Sequence, residues 1–397
     1  MTDFAKTKTL FSLPPNLVYL DGNSLGPLPR GAMARAQATI EREWGGELIR
    51  AWNGAGWMDM PRRLGDRIAR LIGAPKASVA VGDTLSIKVF QAVSAALDLN
   101  PERRILLSDD GNFPTDLYMA DGLAKLRGGG RSLRLAAPDA IEAALGPDVA
   151  VLLLTQVDYR TGGMHDMAAI TRAAHAHGIP VVWDLAHSVG ALELAVEKVG
   201  ADFAVGCTYK HLNGGPGAPA FIYVRADHVA GLKPALAGWL GHEAPFAFDR
   251  DYRPAPSVER MRVGTPPVIQ MAILDAALDV FDEVDLASLR KRAGELSEFF
   301  IAEVERLCPQ AHLVSPRDPA RRAGHVSFRF DHGYAAMQAL IANGVIGDFR
   351  APDVMRFGIT PLYVDEADLA KAAAVLAHVF TARLWDRPEF RRRASVT

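Results

Sequence analysis

Cysteine is scarce in this sequence, with only Cys207 and Cys308 among 397 residues and neither in a metal-ligand spacing. A disulfide framework and a cysteine-based metal site are therefore not expected. Long apolar runs are also missing, since none approaches the roughly 18 residues needed to span a bilayer. The first stretch, MTDFAKTKTLFSLPPN, lacks the apolar core of a signal peptide. We expect a cytoplasmic protein with no membrane partner and no bound metal.

Charge of one sign is not concentrated in any long block of the chain. Lysine and arginine total 44 against 46 aspartate and glutamate residues, for a formal net charge of −2. Without a basic block, nucleic acid is not an expected partner. The basic stretch 387–397 is short and is interpreted as a frayed, solvated terminus. No G-x-G-x-x-G motif follows the first predicted strand, which argues against a nicotinamide-binding Rossmann domain.

The sequence does contain an alternation of short apolar runs and helical patterns. Hydrophobic residues make up 49% of the chain, enough for the cores of two or three domains. We predict strands at 78–81, 104–108, 149–154, 179–184, 202–206 and 219–224. Helical patterns between them, at 87–99 and 167–178, indicate an α/β fold with a mainly parallel sheet covered by helices. In such sheets, ligands bind beyond the carboxyl ends of the strands.

The last third of the chain has a different pattern and predicts a smaller α+β domain. The predicted helices are at 266–284, 286–307, 333–343 and 365–383, and the predicted strands are at 324–330, 345–350 and 354–358. We divide the chain into an N-terminal segment, a large domain and a small domain, with bounds 1–50, 51–265 and 266–397. The N-terminal segment is expected to pack with the small domain.

Lys210 is the most unusual residue, because it lies between an apolar run and a glycine-rich loop. It comes 26 residues after Asp184, one predicted helix and one predicted strand further on, so both should reach one sheet edge. A buried ammonium tends to lose its proton, and a buried carboxylate needs a cation or several donors. Covalent attachment of pyridoxal phosphate (PLP) to Lys210, with Asp184 on the protonated ring nitrogen, meets both demands. The alternative for Lys210 is a structural lysine in an ion pair. The alternative for Asp184 is a cap of the next helix.

Other strand ends suit the same ligand. A helix that begins near Ser86, after Gly82-Asp83, offers free N–H groups to a phosphate, although an ordinary helix cap is the alternative. Phe113 precedes Pro114, which opens the next helix, and its ring could stack on a flat cofactor or simply pack. His187 is either a site residue or a hydrogen-bonded packing residue.

Six motifs occur in order between Tyr19 and Tyr363: YLDGNSLGPLP, NFPTD, YRTGGMHD, WDLAHSVGALEL, CTYKHLNGGPGAPAF and MRFGITPLY. Together they resemble the kynureninases, PLP-dependent enzymes of fold type I, the aspartate-aminotransferase type. The resemblance implies a seven-stranded-type large-domain sheet.

The resemblance also implies roles for individual positions. Lys210 corresponds to the PLP-binding lysine, Asp184 to the pyridinium partner, and Arg356 to the arginine that binds the substrate α-carboxylate. The remaining implied cofactor positions are Leu85, Ser86, Phe113, Pro114, Thr115, Asp116, Thr155, His187 and Tyr209, with Trp239 and Thr265 reaching the cofactor from a second subunit of a homodimer. His187 and Gly46 are implied substrate positions.

The implied activity is hydrolysis of the Cβ–Cγ bond of L-kynurenine to anthranilate and L-alanine, in tryptophan degradation by the kynurenine pathway. Lys210 would take the Cα proton, and Tyr209 would be an acid/base partner whose pKa is lowered by nearby cations. Gly46 and Thr265 stand where animal-type members are expected to carry a histidine and an asparagine. We therefore expect 3-hydroxykynurenine to be a weaker substrate, since its buried hydroxyl would lack a partner.

Two other functions remain open on the sequence. One is a sibling PLP enzyme, such as a cysteine desulfurase or an aminotransferase. A desulfurase needs a mobile nucleophilic cysteine, and neither Cys207 nor Cys308 lies on a glycine-rich loop shortly before Arg356. The other is a non-catalytic binding protein that keeps the PLP fold.

Overall fold

The computed structural model describes residues 2–392, in which helices and strands alternate along much of the chain. The strands, in chain order, are β1 (Val18–Tyr19), β2 (Val79–Val81), β3 (Ile105–Asp109), β4 (Ser132–Ala136), β5 (Val149–Thr155), β6 (Val181–Asp184), β7 (Phe203–Gly206), β8 (Phe221–Val224), β9 (His312–Leu313), β10 (His325–Arg329), β11 (Val345–Ile346), β12 (Asp348–Arg350) and β13 (Val354–Gly358). The α-helices are α1 (Phe4–Lys8), α2 (Arg30–Ala38), α3 (Ala51–Gly54), α4 (Met60–Ile72), α5 (Leu85–Leu99), α6 (Pro114–Arg127), α7 (Met167–Ala176), α8 (Ala226–Val229), α9 (Val268–Leu278), α10 (Leu286–Leu307), α11 (Gly333–Ala342), α12 (Glu366–Thr381) and α13 (Pro388–Arg391).

A seven-stranded sheet organises the larger part of the molecule. Its strand order is β2-β8-β7-β6-β5-β3-β4. Its neighbouring strands are parallel except around β8, which runs antiparallel to both β2 and β7. The predicted α/β class with a mainly parallel seven-stranded sheet is therefore confirmed.

The central strands are apolar on both faces because helices cover both faces. Every residue of β5 is buried, and so is every residue of β6 and β7. Such continuous burial is what the unbroken hydrophobic runs of the sequence predict. The outermost strand, β4, is different, since most of its side chains are half-buried or exposed. Its alternation of polar and apolar residues escaped the sequence prediction.

A second, four-stranded sheet has the order β12-β13-β10-β9 and is antiparallel. Helices α10 and α12 pack together beside it. The ring of Phe300 on α10 lies 6.1 Å from that of Phe328 and 5.2 Å from that of Phe357, which joins the helix to strands β10 and β13. The N-terminal strand β1 pairs in parallel with β11. The domain bounds given above, 1–50, 51–265 and 266–397, remain predictions.

Some predicted elements are wrong in detail. The predicted helix 266–284 is shorter, because α9 ends at Leu278 and a 3-10 turn, Asp279–Phe281, follows it. No helix forms between β6 and β7; the chain makes successive turns there, and Gly190 has a φ of +80°, which a right-handed helix does not accept. The stretch 387–397, expected to fray, contains α13, and the part of that prediction that concerns residues 393–397 lies outside the described residues. Within residues 2–392, no helix is long and apolar enough to cross a membrane.

Candidate active site

Lys210 lies four residues beyond β7, at the carboxyl edge of the large sheet. Its side chain is half-buried, and its Nζ is 3.0 Å from Nε2 of His187. The rings of Phe113 and Tyr209 lie 6.0 and 5.9 Å from the same nitrogen. The structure therefore brings together an amine, an imidazole and two aromatic rings, as the sequence predicted for one edge of the sheet.

Two buried carboxyl groups lie next to this amine. Asp184 ends β6, is 2% exposed, and accepts a hydrogen bond from the N–H of Ala186 (2.7 Å). Asp116, in the first turn of α6, is 1% exposed and accepts a hydrogen bond from the hydroxyl of Thr155 (3.4 Å). Burial raises the pKa of both carboxyl groups, and the charge of Lys210 opposes the rise in each. Two buried carboxyl groups lie beside a single amine, so one of them has no cation to pair with. A protonated ring nitrogen would supply that positive charge.

Phe113, Pro114 and Thr115 form the turn that leads into α6. Pro114 is the first helical residue, as predicted. The Phe113 ring is 39% exposed and meets the Tyr159 ring edge-on at 5.2 Å. Asn112, which is not among the residues predicted from the sequence, fixes the turn by accepting a hydrogen bond from the Phe113 N–H (2.7 Å). One face of the Phe113 ring thus remains available to a flat ligand.

The N-terminus of α5 offers free backbone donors to an anion. The helix begins with Leu85 and Ser86, and Thr84 in the N-cap position makes no side-chain capping bond. Gly82 and Asp83 before it both have positive φ, 156° and 56°. The capping alternative is therefore not what this helix shows, and its first N–H groups suit a phosphate.

Arg356 lies on β13 and is 1% exposed. Its Nε donates to Oδ1 of Asp348 (2.7 Å), its Nη1 donates to the carbonyl of Tyr159, and its Nη2 donates to the hydroxyl of Ser24 (2.9 Å) and to Asp348. Arg356 is therefore held rigidly by groups from three separate parts of the chain. Its ion pair with Asp348 is a buried one, since both side chains are almost fully covered.

The segment 19–29 carries the first of the six motifs but none of the predicted site residues, and it lies inside the site. The N–H of Gly26 donates to the carbonyl of Tyr209 (2.8 Å). A Cβ on Gly26 would lie 2.3 Å from the Lys210 carbonyl oxygen, so only glycine lets the two backbones approach this closely. Ser24 in the same segment bonds to Arg356. No period or spacing in the sequence marks these contacts, which join residues more than 180 positions apart.

Three buried histidines form a cluster that is influenced by the charges of both Lys210 and Arg356. The ring of His187 is 6.4 Å from that of His211 and 5.7 Å from that of His325. Burial and the neighbouring cations lower the pKa of all three, that of His211 to about 3. They are therefore neutral near pH 7, and several of their ring nitrogens have no partner in the described chain. Of the three, only His187 is predicted from the sequence as a site residue.

The prediction for Tyr209 is wrong in one respect. Its pKa was expected to be lowered by nearby cations. Burial raises it instead, and a hydrogen bond with Cys207 and the charge of Asp184 add to the rise. Tyr209 is therefore a neutral phenol near pH 7, which can donate its proton but is a poor base.

Three other predicted positions are exposed to solvent in the described chain. Trp239 is 38% exposed and contacts the ring of Phe246 at 5.8 Å, and Thr265 is exposed on a neighbouring loop. Gly46 is exposed within a π-helical segment, Thr39–Glu47. The exposure of Trp239 and Thr265 is what we expect of residues that reach the active site of a second subunit. That role remains a prediction.

The residues at this sheet edge fit PLP. Lys210 can hold its aldehyde, the Asp184 and Asp116 carboxyl groups can hold a protonated ring nitrogen, and the N-terminus of α5 can hold the phosphate. The Phe113 ring would cover one face.

Comparisons with known proteins agree with this fit. The chain resembles solved structures of a cystine C-S lyase, C-DES, in complex with its product cysteine persulfide, and of the apo cysteine desulfurase from Thermococcus onnurineus NA1, each with a TM-score of 0.81. The alignments cover 91% of this chain and 98% of the lyase, and 96% and 99% for the desulfurase, at 20% and 16% identity. The fold is that of the fold-type-I PLP-dependent enzymes.

Sequence comparison is more specific. Residues 289–376 match the family profile described as "Kynureninase C-terminal domain". The chain is 47% identical over 401 residues to the kynureninase of Pseudomonas fluorescens, covering 99% of this chain and 96% of the relative. It is 46% identical over 400 residues to that of Burkholderia pseudomallei (strain 1106a), with the same coverage. The chain belongs to the kynureninase family.

Proposed function

We propose that this protein is a kynureninase, a PLP-dependent hydrolase that cleaves the Cβ–Cγ bond of L-kynurenine to anthranilate and L-alanine. The observation that carries the proposal is the position of the Lys210 amine, beside His187 and next to the buried Asp184 and Asp116 carboxyl groups. The family membership supports the same activity. Tryptophan degradation by the kynurenine pathway, in the cytoplasm, is the setting that we infer for it.

Each residue has a task that its surroundings suit. When bound, PLP supplies an electron sink for the carbanion at Cα of the substrate. Arg356 would bind the α-carboxylate, and the amine of Lys210 would take the proton from Cα. The neutral phenol of Tyr209 donates a hydrogen bond to the γ-carbonyl oxygen. Water adds to the γ-carbon and the Cβ–Cγ bond then breaks, so that the water oxygen ends in the carboxyl group of anthranilate and Cβ gains a proton to become the methyl group of alanine.

A cysteine desulfurase is a weaker proposal for this site. Cys207 is 1% exposed, and burial raises the pKa of its thiol. Cys308 is fully buried, and burial raises the pKa of its thiol to about 11. Neither can present an accessible thiolate to a substrate.

We also infer that two copies of the chain form the active unit. Trp239 and Thr265, assigned to the cofactor site by family resemblance, are exposed in the single chain. Aromatic side chains beside Trp239 are exposed as well, Phe246 by 63% and Phe248 by 76%. A homodimer would cover this surface and bring both residues to the partner's site.

Trapping of the cofactor tests the proposal. The purified protein should absorb visible light, and borohydride should fix PLP on Lys210 in a peptide map. Lys210→Ala should lose the label and the activity, whereas Lys198→Ala, at an exposed lysine, should keep both. A label on another lysine, or no release of anthranilate from L-kynurenine by the loaded protein, contradicts the proposal.

Parallel assays of the two kynurenines test the expected preference. L-kynurenine should exceed 3-hydroxy-L-kynurenine in kcat/KM by about tenfold to a hundredfold, the cost of burying a hydroxyl without a partner. Equal values would show that Gly46 and Thr265 do not shape the pocket in this way.

A further inference from the structure

Arg356 shares its buried pocket with three other charged side chains. Arg356 is bonded to Asp348. The Nη2 of Arg350 also lies close to Asp348, 2.9 Å from its Oδ2. The hydroxyl of Ser24 donates to the same carboxylate oxygen (2.5 Å). One carboxylate, 2% exposed, therefore serves two guanidinium groups. Burial alone would raise the pKa of Asp348, but its bonds to Arg356 lower it to about 2.

Asp21 is the third charged neighbour, and it has no comparable partner. Its carbonyl accepts hydrogen bonds from the N–H groups of Ser24 (2.9 Å) and Leu25 (3.0 Å), which fixes the turn. Its side chain lies beside Asp348, and Oδ1 is buried without a hydrogen bond. In the described part of the chain, Asp21 makes no ion pair within 4 Å. Asp21 as a whole is half-buried, but a buried carboxylate oxygen that faces another carboxylate is costly unless the two groups share a proton.

The groups that face Asp21 come from every element around it. They are Tyr19 and Ser24 on its own segment, Asp348 and Arg350 on β12, Arg356 on β13, and Tyr363 beyond β13. The hydroxyl of Tyr363 lies against Gly22, where a Cβ would come within 1.7 Å of it. Burial, with the charge of Asp348, raises the pKa of Asp21 to about 7, although Ser24 and Arg356 oppose the rise. Asp21 is thus the carboxyl group of this pocket that titrates near neutral pH.

We propose that Asp21 sets the charge of the carboxylate pocket: Asp21 and Asp348 share one proton, and an amino-acid substrate binds Arg356 tightly only while that proton is present. With the proton, Arg350 and Arg356 face one negative charge, and the pocket has a net charge of +1. Without it, the second carboxylate cancels this charge and repels the incoming carboxylate. The inference rests on the proposed role of Arg356 and adds Asp21 as a positioning residue that acts through it.

The proposal has a defined pH dependence. Because the bound carboxylate favours protonated Asp21, binding takes up a proton above about pH 7. The dissociation constant should then rise by about tenfold for each pH unit above this value, the limit for one linked proton. Below about pH 6 the proton is already present, and this dependence should disappear.

The experiment compares the wild-type holoenzyme with Asp21→Asn, whose amide resembles the protonated acid. The affinity for L-alanine is measured through the absorbance of the bound cofactor between about pH 6 and 8.5. The ratio of the wild-type dissociation constant to that of Asp21→Asn should rise by about tenfold over the last pH unit, since other titrating groups are common to both proteins. A ratio that does not change with pH overturns the proposal. Asp331→Asn, at an exposed carboxylate next to β10, is the matched control and should follow the wild type.

Two further measurements keep the test decisive. If Asp21→Asn does not fold, proton uptake by the wild type on binding L-alanine is measured in weak buffer at about pH 7.5. Uptake of a substantial fraction of a proton supports the proposal, and no uptake overturns it. The role of Arg356 itself is tested separately at about pH 6, where Asp21 is protonated. If Arg356→Lys binds L-alanine as tightly as the wild type there, Arg356 does not bind the carboxylate.

Discussion

Arg356 has most of its hydrogen-bonding capacity in use before any substrate arrives. Four of its N–H groups point to Asp348, Ser24 and the carbonyl of Tyr159. An arginine has five such donors, so one on Nη1 is left for an incoming carboxylate. Because the neighbouring bonds already fix the guanidinium, little side-chain freedom is lost on binding.

Arg356→Lys should weaken substrate capture without releasing the cofactor. A lysine keeps the charge but cannot reproduce the fork that spans Asp348 and the substrate. Loss of a charge-assisted hydrogen bond costs about 1.5–3 kcal/mol, so kcat/KM should fall by about tenfold to a hundredfold. Steady-state kinetics and the visible spectrum measure the two effects.

A suitable control for this substitution lies on the same small sheet. Arg329→Lys alters an ion pair between the exposed Arg329 and the half-buried Asp353, and ion pairs at the surface contribute little. It should leave kcat/KM unchanged. Loss of bound PLP in Arg356→Lys, with unchanged substrate affinity, would remove Arg356 from the carboxylate role.

Only part of the site could be predicted from single residues. Lys210 and Asp184 were found because each follows an apolar strand, and strand ends meet at one edge of a parallel sheet. Asp21, Ser24 and Asp348 follow no such rule, since long-range packing alone brings them to Arg356. The pKa of Tyr209 was predicted in the wrong direction because its burial is not visible in the sequence.

At the scale of elements, prediction was best where hydrophobic periodicity is strong. Helix α10 has the bounds that the sequence predicted, 286–307, because its apolar stripe is continuous. The edge strand β4 was missed because it buries little. The helix expected between β6 and β7 does not form, since Gly190 interrupts it with a left-handed conformation.

The contact between the segment 19–29 and the Lys210 loop should be intolerant of a methyl group. In Gly26→Ala, the new Cβ would lie 2.3 Å from the Lys210 carbonyl oxygen and 2.4 Å from Oδ1 of Asn213. We expect a loss of about 1–3 kcal/mol in stability from the forced backbone shift, and weaker PLP binding. Thermal unfolding and cofactor titration measure both.

Gly31→Ala is the matched control in the same part of the chain. Gly31 lies in α2, and its Cβ would come no closer than 3.9 Å to another residue. Alanine at this first-turn position should stabilise the helix by at most about 0.5–1 kcal/mol and leave PLP affinity unchanged. Similar behaviour of the two variants would show that the close approach at Gly26 does not matter.

At the scale of the whole molecule, the exposed aromatic cluster around Trp239 predicts how two copies meet. The ring of Phe246 lies 5.8 Å from that of Trp239 and 6.2 Å from that of Phe248. Sedimentation should find a dimer at assay concentration. Phe246→Asp should raise its dissociation constant by at least about tenfold, since burying an unpaired charge costs several kcal/mol, and should lower activity in parallel.

Leu135→Asp provides the comparison for this prediction. Leu135 is 45% exposed on the edge strand β4, at the far end of the large sheet from β2. It should leave the dimer and the activity intact. A monomer with full activity would refute the two-copy site.

The pairing of β1 with β11 has a consequence for how the protein is made. Val18 is bonded in register with Val345, and Leu20 donates to the carbonyl of Ile346 (2.6 Å). At about 5–20 residues per second, a ribosome takes on the order of tens of seconds to deliver the second strand after the first. Throughout that interval Val18 and Leu20, which are buried in the folded protein, lack the strand with which they pair. A nascent chain therefore cannot assemble the Arg356 pocket until synthesis is nearly finished. A chain whose synthesis is interrupted should be inactive, with exposed apolar residues that chaperones bind.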